Sequence, residues 1–161
     1  MINFKRHSSI YTLSTSQELK MPIDKAWDFF SRPENLQRIT PSSMGFKITS
    51  VVDSKAYAGQ IITYKVNVLP GITSNWVTEI TQVVENKFFI DEQRFGPYKM
   101  WHHEHKFIEL PSGNTLMTDK ISYKIPLGLL GHLAHKLFVR KQLTSIFKHR
   151  YSILNTMFNE H

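Results

Sequence analysis

Residues 100–126, MWHHEHKFIELPSGNTLMTDKISYKIP, decide the fold because they predict two long strands joined by a tight turn. Aromatic and aliphatic residues alternate with polar ones on both sides of the turn residues at 111–114. Successive side chains of a strand point to opposite faces of a sheet. The segment therefore predicts an antiparallel β-hairpin.

The hairpin completes a longer run of strand-like segments. Stretches rich in Ile, Val, Thr and aromatic residues begin near residue 45, and turn residues separate them at 59, 70–71, 85–86 and 96–97. With the hairpin they predict six strands over 45–125. A further strand is expected within 8–22, and residues 22–41 predict two short helices because their apolar residues recur at helical spacing.

The chain ends in a helical pattern. From residue 127 onward apolar residues recur at three- and four-residue steps, which predicts one amphipathic helix of about 30 residues. A sheet of about seven strands must bury one face, and this helix is the only element long enough to cover it. We therefore expect an α+β fold, one domain over 1–161, in which a curved antiparallel sheet surrounds the helix and leaves a ligand cavity.

The composition limits the classes of function. The chain has 161 residues and no cysteine, which excludes disulfides and zinc–thiolate sites. Its net charge is +7, but no nucleic-acid-binding motif accompanies that charge. No apolar stretch is long enough to span a membrane, and no signal peptide is recognisable. We expect a cytoplasmic protein without a nucleic-acid partner, and the oligomeric state stays open.

Three stretches resemble a known superfamily: AWDFFSRPENLQRITP at 26–41, DEQRFGPYKMWHHEHKF at 91–107 and DKISYKIPLGLLGHLAHKLF at 119–138. They are similar to small bacterial members of the SRPBCC superfamily, which includes START-like lipid carriers and polyketide cyclases. The resemblance spans almost the whole chain and implies the helix-grip fold. It implies little about chemistry, and since the Rieske-type sequence of the iron-binding hydroxylase branch is missing, we expect no cofactor.

Strand parity sorts the histidines of residues 100–109. The odd-numbered face carries two aromatic residues and two histidines, whereas the even-numbered face carries Glu104 and Lys106. We expect the odd set to face the cavity. Pairing around the turn then places His105 opposite Asp119, where a hydrogen bond would raise the pKa of the histidine. The expected ligand-binding residues are Tyr64, Trp76, Trp101, His103, His105, Phe107, Asp119, Tyr123 and Phe147.

Three roles compete for these polar residues. A metal site is suggested by H-x-H-x-x-x-E at 103–109, which resembles the first motif of cupin barrels, but the cupin glycines and second histidine motif are missing, and we expect no metal. Acid–base catalysis would use His105 and Asp119, yet no nucleophile stands out. In the third role, which we favour, the polar residues orient a bound ligand.

Further residues are assigned less directly. Phe46, Ile48, Val66 and Tyr151 are expected to line the same cavity, and the inward face of 88–95 is left undecided. The start of the long helix is basic, which predicts either a solvated face or transient contact with an anionic membrane. This basic segment comprises His132, His135, Lys136, Arg140 and Lys141.

The predicted function is binding or transport of a small hydrophobic or amphipathic molecule between the sheet and the C-terminal helix. The alternative is an enzyme of cyclase, dehydratase or hydrolase type that acts on the same class of molecule through a His–Asp pair.

Overall fold

A computed structural model describes residues 2–51, 55–69, 71–126, 128, 131, 133 and 135–160. Its central element is an eight-stranded sheet in the order β1-β2-β8-β7-β6-β5-β4-β3, in which all neighbouring strands are antiparallel. The strands are β1 (Asn3–His7), β2 (Ile10–Leu19), β3 (Lys47–Ile48), β4 (Gln60–Leu69), β5 (Ile72–Val84), β6 (Phe88–Phe95), β7 (Met100–Glu109) and β8 (Thr115–Lys124).

Two short helices follow β2, as the sequence predicts. They are α1 (Ile23–Phe30) and α2 (Glu34–Arg38), and a single 3₁₀ turn (Ser42–Met44) leads from them to β3. The C-terminal helix α3 (Arg140–Phe158) is preceded by a π-helical segment (His135–Val139). The expected α+β architecture, with a long C-terminal helix against an antiparallel sheet, is confirmed.

The details differ from the prediction at three places. An additional strand, β1, pairs with β2 at the edge of the sheet. Its residues, NFKRH, are mostly exposed and show no apolar alternation, so the sequence pattern did not predict this strand. The strand predicted from residue 46 is reduced to two residues in β3. The first turns of the predicted C-terminal helix fall partly on residues 127, 129, 130, 132 and 134, which lie outside the described residues.

Helix α3 buries one stripe against the sheet. Its buried residues are Leu143, Phe147, Arg150 and Leu154, whose three- and four-residue spacing keeps them on one side of a helix. Leu154 joins an apolar cluster with Trp27 of α1, whereas Leu143 and Phe147 join a second cluster around β2 and β8. The helix thus links two apolar clusters, and Arg150 is the charged residue in its buried stripe.

The helices of the described residues include none that is both long enough and apolar enough to cross a membrane.

Candidate functional site

A cavity of about 400 Å³ lies between the inner face of the sheet, helix α3 and the α1–α2 segment. That volume falls within the range of small-molecule binding sites. Most of its lining is aliphatic or aromatic. Examples from different elements are Leu36, Ile48, Ile62, Ile80, Leu143 and Ile146.

Aromatic residues form one wall of the cavity. The Tyr64 ring stacks on Trp76 with centroids 5.8 Å apart, and the Trp76 ring meets Trp101 edge-on at 5.3 Å. Thr78 provides the hydrogen-bond partner for the polar atoms of this wall. Its hydroxyl accepts a hydrogen bond from Trp76 Nε1 at 3.0 Å and forms a second one with the Tyr64 hydroxyl at 2.8 Å. The wall therefore presents mainly ring faces and edges to a ligand.

A group of buried ionisable residues adjoins the cavity, and we call it the ionisable cluster. Four elements supply its members, namely β6, β7, β8 and α3. They are Asp91, His103, His105, Asp119 and Arg150.

The strand register brings the two histidines between the two carboxylates. Asp91 pairs with His103 across β6 and β7, and His105 pairs with Asp119 across β7 and β8, as predicted. The hydrogen bonds nevertheless run diagonally, from His103 Nε2 to Asp119 Oδ1 at 2.9 Å and from His105 Nε2 to Asp91 Oδ2 at 2.7 Å. Long side chains reach diagonal neighbours in a sheet.

The predicted approach of His105 to Asp119 is present as an ion pair, because His105 Nδ1 lies 3.0 Å from Asp119 Oδ1. Asp119 also raises the pKa of His105, as expected. The geometry is not that of an aligned hydrogen bond, and among the described residues His105 Nδ1 makes none. The ring of His103 lies over that of His105 at a centroid distance of 3.7 Å. His103 Nε2 and His105 Nδ1 both approach the same oxygen of Asp119, at 2.9 Å and 3.0 Å.

Charge compensation inside the cluster sets the protonation of the carboxylates. Burial raises the pKa of Asp119, but Arg150 and the two histidines outweigh burial and hold that pKa well below its ordinary value. Burial likewise raises the pKa of Asp91, and the histidines again outweigh it, so the net shift is downward. Both carboxylates are therefore anions, and the histidine nitrogens that contact them donate the hydrogen bonds.

The two histidines respond in opposite directions. Burial and the neighbouring His105 lower the pKa of His103, despite the two carboxylates. Burial also disfavours the charged form of His105, but Asp119 and Asp91 outweigh it and raise the pKa of that histidine. His105 is thus the more readily protonated of the two.

The cluster also contains a set of metal-ligating atoms. One ligand atom each from Asp91, His103 and His105 lies within 4.8 Å of the others. Two histidines and a carboxylate are a known ligand set for catalytic zinc, in which neighbouring ligands would be about 3.3 Å apart. Because Asp91 Oδ2 and His105 Nε2 are 2.7 Å apart, an ion would have to replace their hydrogen bond.

The structure divides the nine residues expected to bind a ligand into two groups. Six line the cavity: Tyr64, Trp76, Trp101, His103, His105 and Phe147. The other three lie outside the cavity lining. Phe107 packs edge-on against Trp27 in the core, Asp119 is buried next to both histidines, and Tyr123 is fully buried with its hydroxyl 2.8 Å from His135 Nε2.

Several secondary expectations are also resolved. Phe46, Ile48 and Val66 line the cavity, whereas Tyr151 does not, because its side chain is 50% exposed on α3. The inward face of β6, which the sequence left undecided, is the odd-numbered one, because Phe89 and Asp91 line the cavity. The even-numbered Glu92 instead hydrogen-bonds His102 at 2.7 Å.

The basic segment is smaller than predicted. His135 is buried, hydrogen-bonded to Tyr123 and stacked on Tyr11 at 3.6 Å, so it does not belong to an exposed face. His132 lies outside the described residues. Lys136, Arg140 and Lys141 are exposed.

Sequence reasoning missed Arg150 and left Asp91 undecided. A lone arginine in the middle of an amphipathic helix is normally solvated, and its coincidence with the buried spacing 143, 147 and 154 was the only available signal. For Asp91, the neighbours Phe89 and Ile90 are both buried, so the alternation of β6 gave conflicting indications.

Replacing Asp119 by Asn tests the charge compensation. Because Arg150 and the histidines would lose their counter-charge, we expect the free energy of unfolding at pH 7 to fall by about 3 kcal/mol. The folded-state pKa of Asp119 is lowered, so its stabilisation is present above pH 3.8 and is lost as the pH falls through the folded value. Urea unfolding of both proteins from pH 7 to pH 2.5 should show the difference shrinking at low pH.

The matched control is Glu109→Gln, which removes an exposed carboxylate from the same hairpin. We expect it to change the free energy of unfolding by less than about 0.5 kcal/mol. A loss below about 1 kcal/mol for Asp119→Asn, or a difference that does not depend on pH, would contradict the compensated cluster.

Comparison with known proteins places this geometry in a structural context. No protein-family model matches the sequence, and no curated protein matches it either. Among solved structures, protein Ms6760 from Mycobacterium smegmatis is 19% identical with a TM-score of 0.64, and the alignment covers 98% of this chain and 99% of that one.

Two further solved structures carry informative names. A START superfamily protein from Mycobacterium smegmatis is 15% identical with a TM-score of 0.64, over 91% of this chain and 98% of that one. Ara h 8.0201 is 16% identical with a TM-score of 0.57, over 91% of this chain and 99% of that one. At these identities the likeness concerns the fold, and it shows that the chain has the helix-grip fold implied by its resemblance to the SRPBCC superfamily.

Proposed function

We propose that this protein binds a small hydrophobic or amphipathic molecule in the cavity between the sheet and α3. The observation that carries the proposal is the cavity itself, which encloses about 400 Å³ and has a mainly apolar lining. Transfer of apolar surface from water into such a site is favourable, and a few polar groups on the wall suffice to orient the ligand. His103, His105 and Asp91 are such groups.

Filling the cavity tests this proposal. Val66 is buried on β4 and lines the cavity, so Val66→Phe would occupy ligand space. We expect the affinity for the neutral fluorescent probe N-phenyl-1-naphthylamine to fall about tenfold, because overpacking a site of this kind costs about 1–3 kcal/mol. The measurement is a fluorescence titration, supported by native mass spectrometry of the freshly purified wild type for a co-purified organic molecule.

The control is Val84→Phe, the same substitution at an exposed position of β5. It should leave the affinity for the probe unchanged. If the wild type binds neither the probe nor any co-purified molecule, or if both variants bind the probe as the wild type does, the cavity is not a ligand site.

A second candidate function is catalysis on the same class of molecule. The observation that favours it is that His103 and His105 line the cavity while two ionised carboxylates contact their nitrogens, which is an arrangement that general acid–base catalysis uses. The described lining residues include Ser31 and Thr78, but the Thr78 hydroxyl is engaged by the aromatic wall and the Ser31 hydroxyl makes no hydrogen bond to a described residue. Neither hydroxyl is thus paired with a histidine that could activate it as a nucleophile. Ligand binding therefore has the stronger support.

Substitution of a single histidine separates the two functions. If the protein is an esterase-type enzyme, His105→Ala should lower the hydrolysis of p-nitrophenyl butyrate by about 100-fold or more while probe binding changes only a few fold. His102→Ala is the matched control, because that histidine lies on the outer face of the same strand and pairs with Glu92. Equal rates for the wild type and His105→Ala would exclude this catalytic role.

We further propose that ligand loading involves transient contact with an anionic membrane. Three apolar residues that precede α3 in the chain are about half exposed or more. They are Leu133, Leu137 and Phe138. Phe138 also lines the cavity, so this surface adjoins the ligand space. The exposed cations Lys136, Arg140 and Lys141 lie close to these residues in the sequence, and basic and apolar residues together favour anionic lipid surfaces.

Vesicle binding tests this contact. With vesicles of phosphatidylglycerol, Leu137→Ser should reduce co-sedimentation several fold. Leu137 is about half exposed, and the substitution removes this apolar surface from the contact with the membrane. Ile108→Ser, which changes an exposed apolar residue on the outer face of β7, should have no effect. Equal losses for the two variants, or the same binding to phosphatidylcholine vesicles, would contradict a contact at this surface.

A further inference from the structure

Arg150 is a buried cation with too few partners. The residue is 7% exposed, and its Nε is buried without a hydrogen-bond partner. Among the described residues its guanidinium makes no hydrogen bond, and its ion-pair partner, Asp119, is 3.6 Å from Nη1. A guanidinium carries five N–H donors, and buried donors are normally satisfied. Arg150 therefore has hydrogen-bonding capacity that its neighbours among the described residues do not use.

Asp119 does not supply the missing partner. Its Oδ1 lies 2.9 Å from His103 Nε2 and 3.0 Å from His105 Nδ1. Both distances are shorter than the 3.6 Å between the same oxygen and Arg150 Nη1. The carboxylate thus forms a hydrogen bond with His103 and only a longer ion pair with Arg150, which leaves the guanidinium donors available. An anion in the cavity would accept hydrogen bonds from these donors.

The guanidinium lies where a cavity ligand can reach it. Arg150 lines the cavity, and its Cζ lies 5.7 Å from the ring centroid of Phe30 and 5.8 Å from that of Phe147, two residues that also line the cavity. Cation–π contacts of this kind hold the planar group in place. On its other side is a space of about 10 Å³, which is enough for one water molecule and too small for a ligand.

The other arginine among the described lining residues is already paired. Arg32 contacts Asp28 at 3.3 Å and Glu34 at 3.9 Å, and its side chain is 39% exposed. An anion inside the cavity is therefore expected at Arg150 rather than at Arg32.

We propose that the natural ligand is an apolar molecule that ends in a single carboxylate, and that Arg150 binds this carboxylate. The inference rests on the proposed ligand-binding function and names its class of ligand. Guanidinium and carboxylate groups form paired hydrogen bonds in one plane, which suits the fork of Arg150. A doubly charged head such as a phosphate monoester is disfavoured, because Asp91 and Asp119 already place two negative charges beside the site. The apolar chain of the ligand would lie along Ile62, Ile80 and Leu143.

Competition with N-phenyl-1-naphthylamine tests the proposal with two ligands that differ only at the head. At pH 8, dodecanoate should displace the probe from the wild type at a concentration at least tenfold lower than methyl dodecanoate, because a hydrogen bond to a charged group is worth about tenfold or more. Arg150→Met should weaken dodecanoate at least tenfold and change methyl dodecanoate by less than about threefold. Lys148→Met, an exposed position on the same helix, should leave both affinities unchanged.

Arg150→Met removes the arginine that pairs with Asp119 and could therefore destabilise the fold. A second variant controls for this effect. The double variant Arg150→Met/Asp119→Asn removes both charges and should show the same loss of preference for the acid, with its thermal unfolding followed by circular dichroism. Equal affinity of the wild type for acid and ester, or a preserved preference in either Arg150 variant, overturns the inference while the ligand-binding function stands. Failure of both ligands and of the probe to bind the wild type overturns the ligand-binding function as well.

Discussion

A carboxylate buried beside an apolar cavity is the constraint around which this site is arranged. Asp119 is 5% exposed, and burial of a charge is costly unless other groups compensate for it. Two histidines of β7 and an arginine of α3 supply that compensation at 2.9 to 3.6 Å. Asp119 thereby ties β7 and α3 to β8, and the same contacts decide which protons the cluster holds.

The ionisable cluster and the aromatic wall play different physical parts in the cavity. Around Tyr64, Trp76 and Trp101, ring contacts and the Thr78 hydroxyl satisfy the polar atoms internally, so the wall offers apolar contact. In the cluster, hydrogen bonds join each histidine to a carboxylate, but among the described residues His105 Nδ1 and Arg150 Nε have no hydrogen-bond partners. Specificity for a polar group of the ligand would therefore come from the cluster, whereas affinity would come from apolar burial.

The helix-grip fold provides the space for a ligand but does not determine the chemistry. The three solved structures compared with this chain share the fold at less than 20% identity, and function depends on the residues of the site rather than on the fold. The residues that distinguish this cavity are its histidine pair, the two carboxylates and Arg150. A carrier and an enzyme could both use them, but the unsatisfied arginine is most directly explained by an anionic ligand.

Local patterns in the sequence were sufficient for the architecture and for one strand pair of the site. Alternation along 100–109 and 115–124, with the turn between them, predicted the register of His105 and Asp119. Periodicity predicted the two short helices and the C-terminal helix. The strand β1 and the near absence of β3 were not predictable in this way, because edge strands with mostly exposed residues carry little hydrophobic signal.

The sequence by itself determined the order of elements, the apolar inner face of the sheet and the presence of two histidines on that face. The tertiary structure alone decided which groups meet them. Asp91 and Arg150 are 14 and 45 residues away from His105 along the chain, and they reach the cluster only through the pairing of β6 with β7 and the packing of α3. Side-chain hydrogen bonds also run diagonally, from His103 to Asp119 and from His105 to Asp91. Strand parity records the face of a residue, but contacts among distant elements depend on packing in three dimensions.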